Sequence, residues 1–174
     1  MENKNRNSII VLIICIFIMG TTFFVSRNCL VVYPVSGPSM EPNLWDQERI
    51  LLFRTQKIDY DDIIVFEYEP AGKFYVKRVI GLEGDTIDIQ YNYDKFSYEV
   101  LRNGSVLVED YIKDDMTVNY QILSVVVPEG KFFFLGDNRN VSYDSHYGIF
   151  GEVSKVEGKV FLKYGGDERK VKFI

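Results

Sequence analysis

Apolar and polar positions follow two different patterns along the chain. From Ser8 to Val25 the run SIIVLIICIFIMGTTFFV carries no charge, and as a helix rising 1.5 Å per residue it would extend roughly 27 Å, the thickness of a bilayer core. After residue 28 the apolar residues arrive in short bursts: RILLFR, DIIVFEY, KFYVKRVI, DTIDIQY, KFSYEVL, SVLVEDY, YQILSVVV, KFFFLGD and GKVFLKY. These bursts are rich in Val, Ile, Phe and Tyr, which favour strands. Turn signals such as Ala71-Gly72, Glu83-Gly84-Asp85, Pro128 to Gly130 and Gly165-Gly166 separate them. Asn103-Gly104, between VLR and SVLVE, predicts a type I′ hairpin. The pattern predicts a mainly β fold, a twisted and partly closed antiparallel β-sheet domain preceded by one N-terminal transmembrane helix.

The expected organisation is a cytoplasmic N-terminus over 1–7, a transmembrane anchor over 8–27 and an extracytoplasmic β domain over 28–174. The apolar run is longer than the roughly 7 to 15 residues of a cleaved signal sequence and lacks a clear small-x-small cleavage site. Lys4 and Arg6 precede it and only Arg27 lies close behind it, so the positive-inside rule puts residues 1–7 in the cytoplasm. The 174 residues carry a net charge of −5 with no basic stripe, which argues against a nucleic-acid partner. Cys15 and Cys29 are the two cysteines. On one helix they would lie about 21 Å apart and could not pair.

Three polar islands interrupt the strand-rich background. In SGPSMEPNL, Ser36 to Leu44, the prolines on both sides of Ser39 deny the segment a regular helix. Ser39 is therefore expected on a tight loop, with backbone N–H groups near Gly37 and Ser39 free to face a carbonyl oxygen. In KFYVKRVIG, strand alternation puts Lys77 with Tyr75 and Val79 and puts Arg78 with Val76 and Ile80, so one of two adjacent cations must face apolar company. A lysine desolvated in this way can serve as a neutral amine near neutral pH. The third island, GDNRNVSYDSHYGIFG, Gly136 to Gly151, follows an apolar run and has no strand period. It reads as a surface loop or as a hydrogen-bonded shell around catalytic groups. The sequence contains neither HExxH nor paired Cys/His clusters, so no metal and no cofactor are expected.

The three motifs, in this order behind an apolar anchor, resemble the type I signal peptidases, peptidase family S26, in their compact form. The resemblance runs from the anchor to about Gly158. It implies a membrane-anchored serine endopeptidase that removes signal peptides from exported preproteins after small residues, with Ser39 as nucleophile and Lys77 as general base. By the same resemblance Ser142 orients the lysine amine, and Asp137 and Asp144 brace the site with the help of Arg78 and a nearby cation. The Ser39 N–H would be one oxyanion donor. Some family members place a serine donor two residues before the nucleophile; here that position is Gly37, which leaves Ser36, a backbone N–H or water for the second. Many relatives carry Thr at Asn43 and bacterial ones often Arg at His146, so the partner of Asp144 is open, and His146 is expected as a surface or bracing residue.

Tyr33, Val35, Tyr75 and Val76 match positions that line the family's shallow substrate pockets. Expected partners are secretory preproteins and the lipid bilayer, with Met40, Leu44 and Trp45 at the lipid interface. Alternatives are a catalytically idle, membrane-anchored assembly or binding protein of the same fold, and a dedicated pilin or conjugation-type peptidase. LexA-like repressors share the Ser-Lys chemistry and a related β-fold, but carry a DNA-binding helix-turn-helix where this chain has its anchor.

Overall fold

A computed structural model describes residues 2–117, 123–165 and 170–174. Helix α1, Glu2–Cys29, runs directly into the first strand. Its side chains are described for residues 10–23 and for Cys29, and ten large apolar residues from Ile10 to Phe23 are exposed. Among the described residues no helix is long and apolar enough to cross a membrane.

The strands are β1 (Leu30–Pro34), β2 (Arg49–Phe53), β3 (Ile63–Tyr68), β4 (Lys73–Leu82), β5 (Thr86–Asn92), β6 (Ser97–Arg102), β7 (Ser105–Val106), β8 (Leu123–Val126), β9 (Lys131–Leu135), β10 (Gly151–Glu152), β11 (Val156–Gly165) and β12 (Lys170–Phe173). The larger sheet has the order β1-β2-β11-β3-β4-β9-β10, with β12 also on β11, and the smaller has the order β7-β6-β5-β8. Every described pairing is antiparallel. Both sheets are open.

The apolar bursts account for most of these strands, because alternate Val, Ile and Phe side chains reach a core on at least one face. Ile80, Phe133 and Leu135 from β4 and β9 pack against Ile87, Ile89 and Val100, which fastens the smaller sheet to the larger. A second cluster, Val35, Met40, Leu44, Ile50, Leu52, Ile63, Val65 and Val160, lies beneath the serine loop. The Asn103-Gly104 turn forms as expected, with φ of 52° and 78° at its two residues and β6 paired to β7. SVLVEDY departs from expectation. Only Ser105–Val106 are strand, and the chain from Leu107 turns away towards the larger sheet. Part of the expected strand YQILSVVV, and Gly166 of the expected turn, lie outside the described residues.

Candidate active site

β4 and β9 are neighbours, with Arg78 opposite Leu135. The residues that leave β9, Gly136 and Asp137, therefore emerge beside Lys77 and Arg78. Both cations are buried, at 5% and 8% exposure, where alternation required only one to be. Each is satisfied differently. Arg78 forks onto Asp137, Nε to Oδ1 at 2.8 Å and Nη2 to Oδ2 at 2.7 Å. Its guanidinium lies 4.0 Å from the centre of the Tyr111 ring. Burial works against the Arg78 charge, but the hydrogen bonds and charge of Asp137 outweigh it, and the net pKa is raised.

Lys77 has no such carboxylate fork. Its Nζ donates to Ser142 Oγ at 2.9 Å. Burial pushes its pKa down to about 8, even though the charges of Asp144 and Asp137 pull the other way. The amine is thus poised to give and take a proton near neutral pH.

The serine loop is held from below and from the side. Met40 and Leu44 are completely buried, so they anchor the loop in the core and do not face lipid as expected from sequence. Trp45 is the exposed member of that trio, at 45%. The Ser39 carbonyl accepts from the Asn138 N–H at 3.0 Å, and Asn138 Nδ2 donates to the Pro38 carbonyl at 3.1 Å. Asn43 ties the loop to Asp137 Oδ2 at 2.9 Å and to the Tyr111 carbonyl at 2.7 Å. The Gly37 N–H is not free to face a substrate, because it donates to Asp46 Oδ1 at 2.8 Å. The Ser39 N–H has no acceptor among the described residues.

Gly136 is where these parts converge. A Cβ there would run into Ser142 Oγ and the Ser39 carbonyl oxygen, so the absence of a side chain is what lets the two serine-bearing segments approach. Its N–H donates to Asp144 Oδ2 at 2.9 Å. Asp144, fully buried, also meets His146 Nδ1 at 2.7 Å through Oδ1. This identifies the partner that the sequence left open, and it places His146 in the interior at 9% exposure, a bracing residue and not a surface one. Ser145 Oγ accepts from the Phe134 N–H at 3.0 Å and locks the same turn onto β9.

Ser36, Ser39, Lys77, Tyr33, Tyr75 and Val76 line one cleft of about 350 Å³. Tyr143, from the segment that carries Ser142, lines it too. Val35 was expected in its wall but is 3% exposed and packs into the core below. Its neighbours Tyr33 and Pro34 occupy the wall instead.

Sequence reasoning did not single out Gly136, Asn138 or Arg139 within the third island, nor Glu109. Arg139 is buried, donating through Nε to the Gly136 carbonyl at 3.0 Å and through its fork to Glu109. The local signal was an arginine directly following Asp-Asn in an otherwise acidic, apolar stretch. Nothing local pointed to its partner thirty residues earlier. Among the described residues no group of His, Cys, Asp and Glu is placed to hold a metal ion.

Residues 5–164 match the family described as signal peptidase, peptidase S26. Signal peptidase I P of Bacillus subtilis subsp. natto is 33% identical over 161 residues, covering 85% of this chain and 84% of that protein. Signal peptidase I U of Bacillus subtilis is 31% identical over 186 residues, covering 95% and 93%. A crystal structure of a signal peptidase I from Enterococcus faecalis matches with a TM-score of 0.49 and 34% identity, over 59% of this chain and 96% of that one.

Proposed function

Because the chain belongs to the signal peptidase family, peptidase S26, we propose that it removes signal peptides from secretory preproteins with a Ser39–Lys77 dyad. The observation that carries this reading is the buried Lys77 amine, held by Ser142 at 2.9 Å and pushed down to about 8, in a cleft that Ser39 shares.

The neutral Lys77 amine takes the Ser39 hydroxyl proton as Oγ attacks the scissile carbonyl carbon. The oxygen of the tetrahedral intermediate turns towards the Ser39 N–H, and Ser36, which also lines the cleft, gives the second hydrogen bond. The ammonium then returns the proton to the departing amine, which leaves an ester on Ser39. In the second half-reaction Lys77 deprotonates a water that attacks the ester, and the carboxylate product leaves as the proton returns to Ser39. Ser142 aims the amine throughout. The Arg78–Asp137 and Asp144–His146 pairs hold the backbone that carries Ser142 and faces Ser39.

An extended substrate segment lies between the serine loop and β4, and Tyr33, Tyr75 and Val76 leave room for small side chains beside the scissile bond. α1 serves as an anchor. Its exposed apolar side chains, all round the helix from Ile10 to Phe23, support that role. The N-terminus then lies in the cytoplasm and the catalytic domain on the far side.

The test compares wild type, Ser39→Ala and Lys77→Met in detergent on a preprotein whose signal ends in Ala-x-Ala. Wild type should cleave and both variants should be inert. Cleavage by either variant would remove the dyad, and a wild type that binds the preprotein without cutting it would turn the reading to an idle relative.

A further inference from the structure

After β7 the chain leaves the smaller sheet as a loop, 107–117, that crosses to the active site. Its Lys113 N–H donates to the Asp137 carbonyl at 3.0 Å, and Lys113 Nζ pairs with Glu41 of the serine loop at 2.7 Å. Glu109 is a part-buried member of this loop, with its side chain turned inward. Its carboxylate receives the Arg139 fork, Nη1 to Oε2 at 2.8 Å and Nη2 to Oε1 at 2.5 Å, between side chains 8% and 0% exposed. Oε1 also accepts the Tyr111 hydroxyl at 2.8 Å.

Two braces therefore meet at one carboxylate. Through Arg139 it reaches the Gly136 carbonyl at 3.0 Å, and Gly136 is the residue squeezed between Ser39 and Ser142. Through Tyr111 it reaches the ring that covers Arg78, which forks onto Asp137. We propose that Glu109 is a positioning residue for the reaction, fixing through Arg139 and Tyr111 the separation of the Ser39 loop from the Lys77–Ser142 pair. This inference rests on the dyad reading above.

Charge gives a signature that packing alone would not. The Arg139 guanidinium interacts with Glu109 first and with Asp144 more weakly, and Asp144 is the carboxylate that most helps Lys77 keep its proton. If Glu109 is made neutral, the Arg139 charge loses its main counter-charge. The uncompensated guanidinium then works against the pull of Asp144 on the Lys77 proton, and the base is free at lower pH.

The experiment uses the full chain in detergent and a signal-peptide substrate, at a temperature where circular dichroism shows each variant fully folded. On the alkaline plateau of the rate profile, Glu109→Gln should lower kcat by on the order of tenfold or more, towards the roughly hundredfold loss a 1 Å misplacement produces, with KM changed by less than about twofold. Its rising pH limb should move to lower pH than that of wild type. Tyr111→Phe keeps the ring on Arg78 and removes only the hydroxyl, and should lower kcat in the same sense by a smaller factor. A folded Glu109→Gln with wild-type kcat and an unmoved limb overturns the proposal. If Glu109→Gln does not fold, Tyr111→Phe decides, and wild-type kcat in that variant overturns it. Ser39→Ala and Lys77→Met are assayed in parallel. Cleavage by those two sinks the dyad reading, whereas inert dyad variants beside a fully active Glu109→Gln sink only the role of Glu109.

Discussion

Replacing Lys77 with Met should stabilise the fold at neutral pH and lose that benefit in alkali. In the folded protein the amine titrates at about 8 instead of the 10.5 of an exposed lysine, a gap worth about 3 kcal/mol at 1.36 kcal/mol per unit. Below pH 8 both the folded and unfolded chains bind the proton, and the folded state bears the full cost of a buried charge. Between about 8 and 10.5 the unfolded chain still holds the proton while the native amine has released it, so stability rises with pH. Above 10.5 the penalty has gone. Met fills a similar volume without a charge and never meets this cost. Terms that do not titrate over the range, such as the lost hydrogen bond to Ser142, enter at both ends and cancel. The stability of Lys77→Met relative to wild type should therefore fall by about 3 kcal/mol between pH 7 and pH 11. Thermal melts of the full chain in detergent would show this as a relative shift of about 6 to 12 °C, at 2 to 4 °C per kcal/mol for a domain of this size. An equal difference in melting temperature at the two pH values would refute the claim that Lys77 is desolvated.

The same titration should shape catalysis. The rate kcat/KM should climb through a limb near pH 8 as Lys77 loses its proton, and a profile already flat from pH 6 would assign that limb to another group. Ser142→Ala leaves the Lys77 amine without its 2.9 Å partner and should reduce kcat by up to about a hundredfold to ten-thousandfold, the contribution of a well-placed general base, with little change in KM. Gly136→Ala drives a methyl group into Ser142 Oγ and the Ser39 carbonyl. It should cost about 1 to 3 kcal/mol of stability through overpacking and abolish measurable turnover, as read by a melt and a cleavage assay on the same preparation. Met40→Ala removes a fully buried side chain beneath the nucleophile and should lower stability by about 2 to 5 kcal/mol, measured by denaturant titration.

The candidate site was legible in the sequence to the extent that its chemistry is carried by short, unusual stretches. Proline on both sides of Ser39 and a cation pair within KFYVKRVIG are local facts, and each has a local physical consequence. The same holds for the turn at Asn103-Gly104, where two consecutive positive φ values need residues that tolerate them. SVLVEDY shows the limit of such reading. Its alternation is a strand's, yet only Ser105–Val106 pair, because Glu109 and Tyr111 find stronger partners in Arg139 and Arg78 than a sheet edge offers.

Burial was the quantity that sequence could not supply. Met40, Leu44 and Val35 resemble interfacial or pocket residues by type, and the core beneath the serine loop claims all of them. Lys77 and Arg78 look alike in sequence, and their different fates follow from neighbours that arrive from β9 and from the 107–117 loop.

The sequence alone determined the order of strands and turns, the apolar N-terminal helix and the residue types available for catalysis, because these depend on interactions within a few residues. Tertiary structure decided how each of the two buried cations was satisfied, which glycine had to stay bare and which carboxylate each arginine found. Those outcomes depend on contacts between segments tens of residues apart, where desolvation and close approach exist only after the sheets have packed.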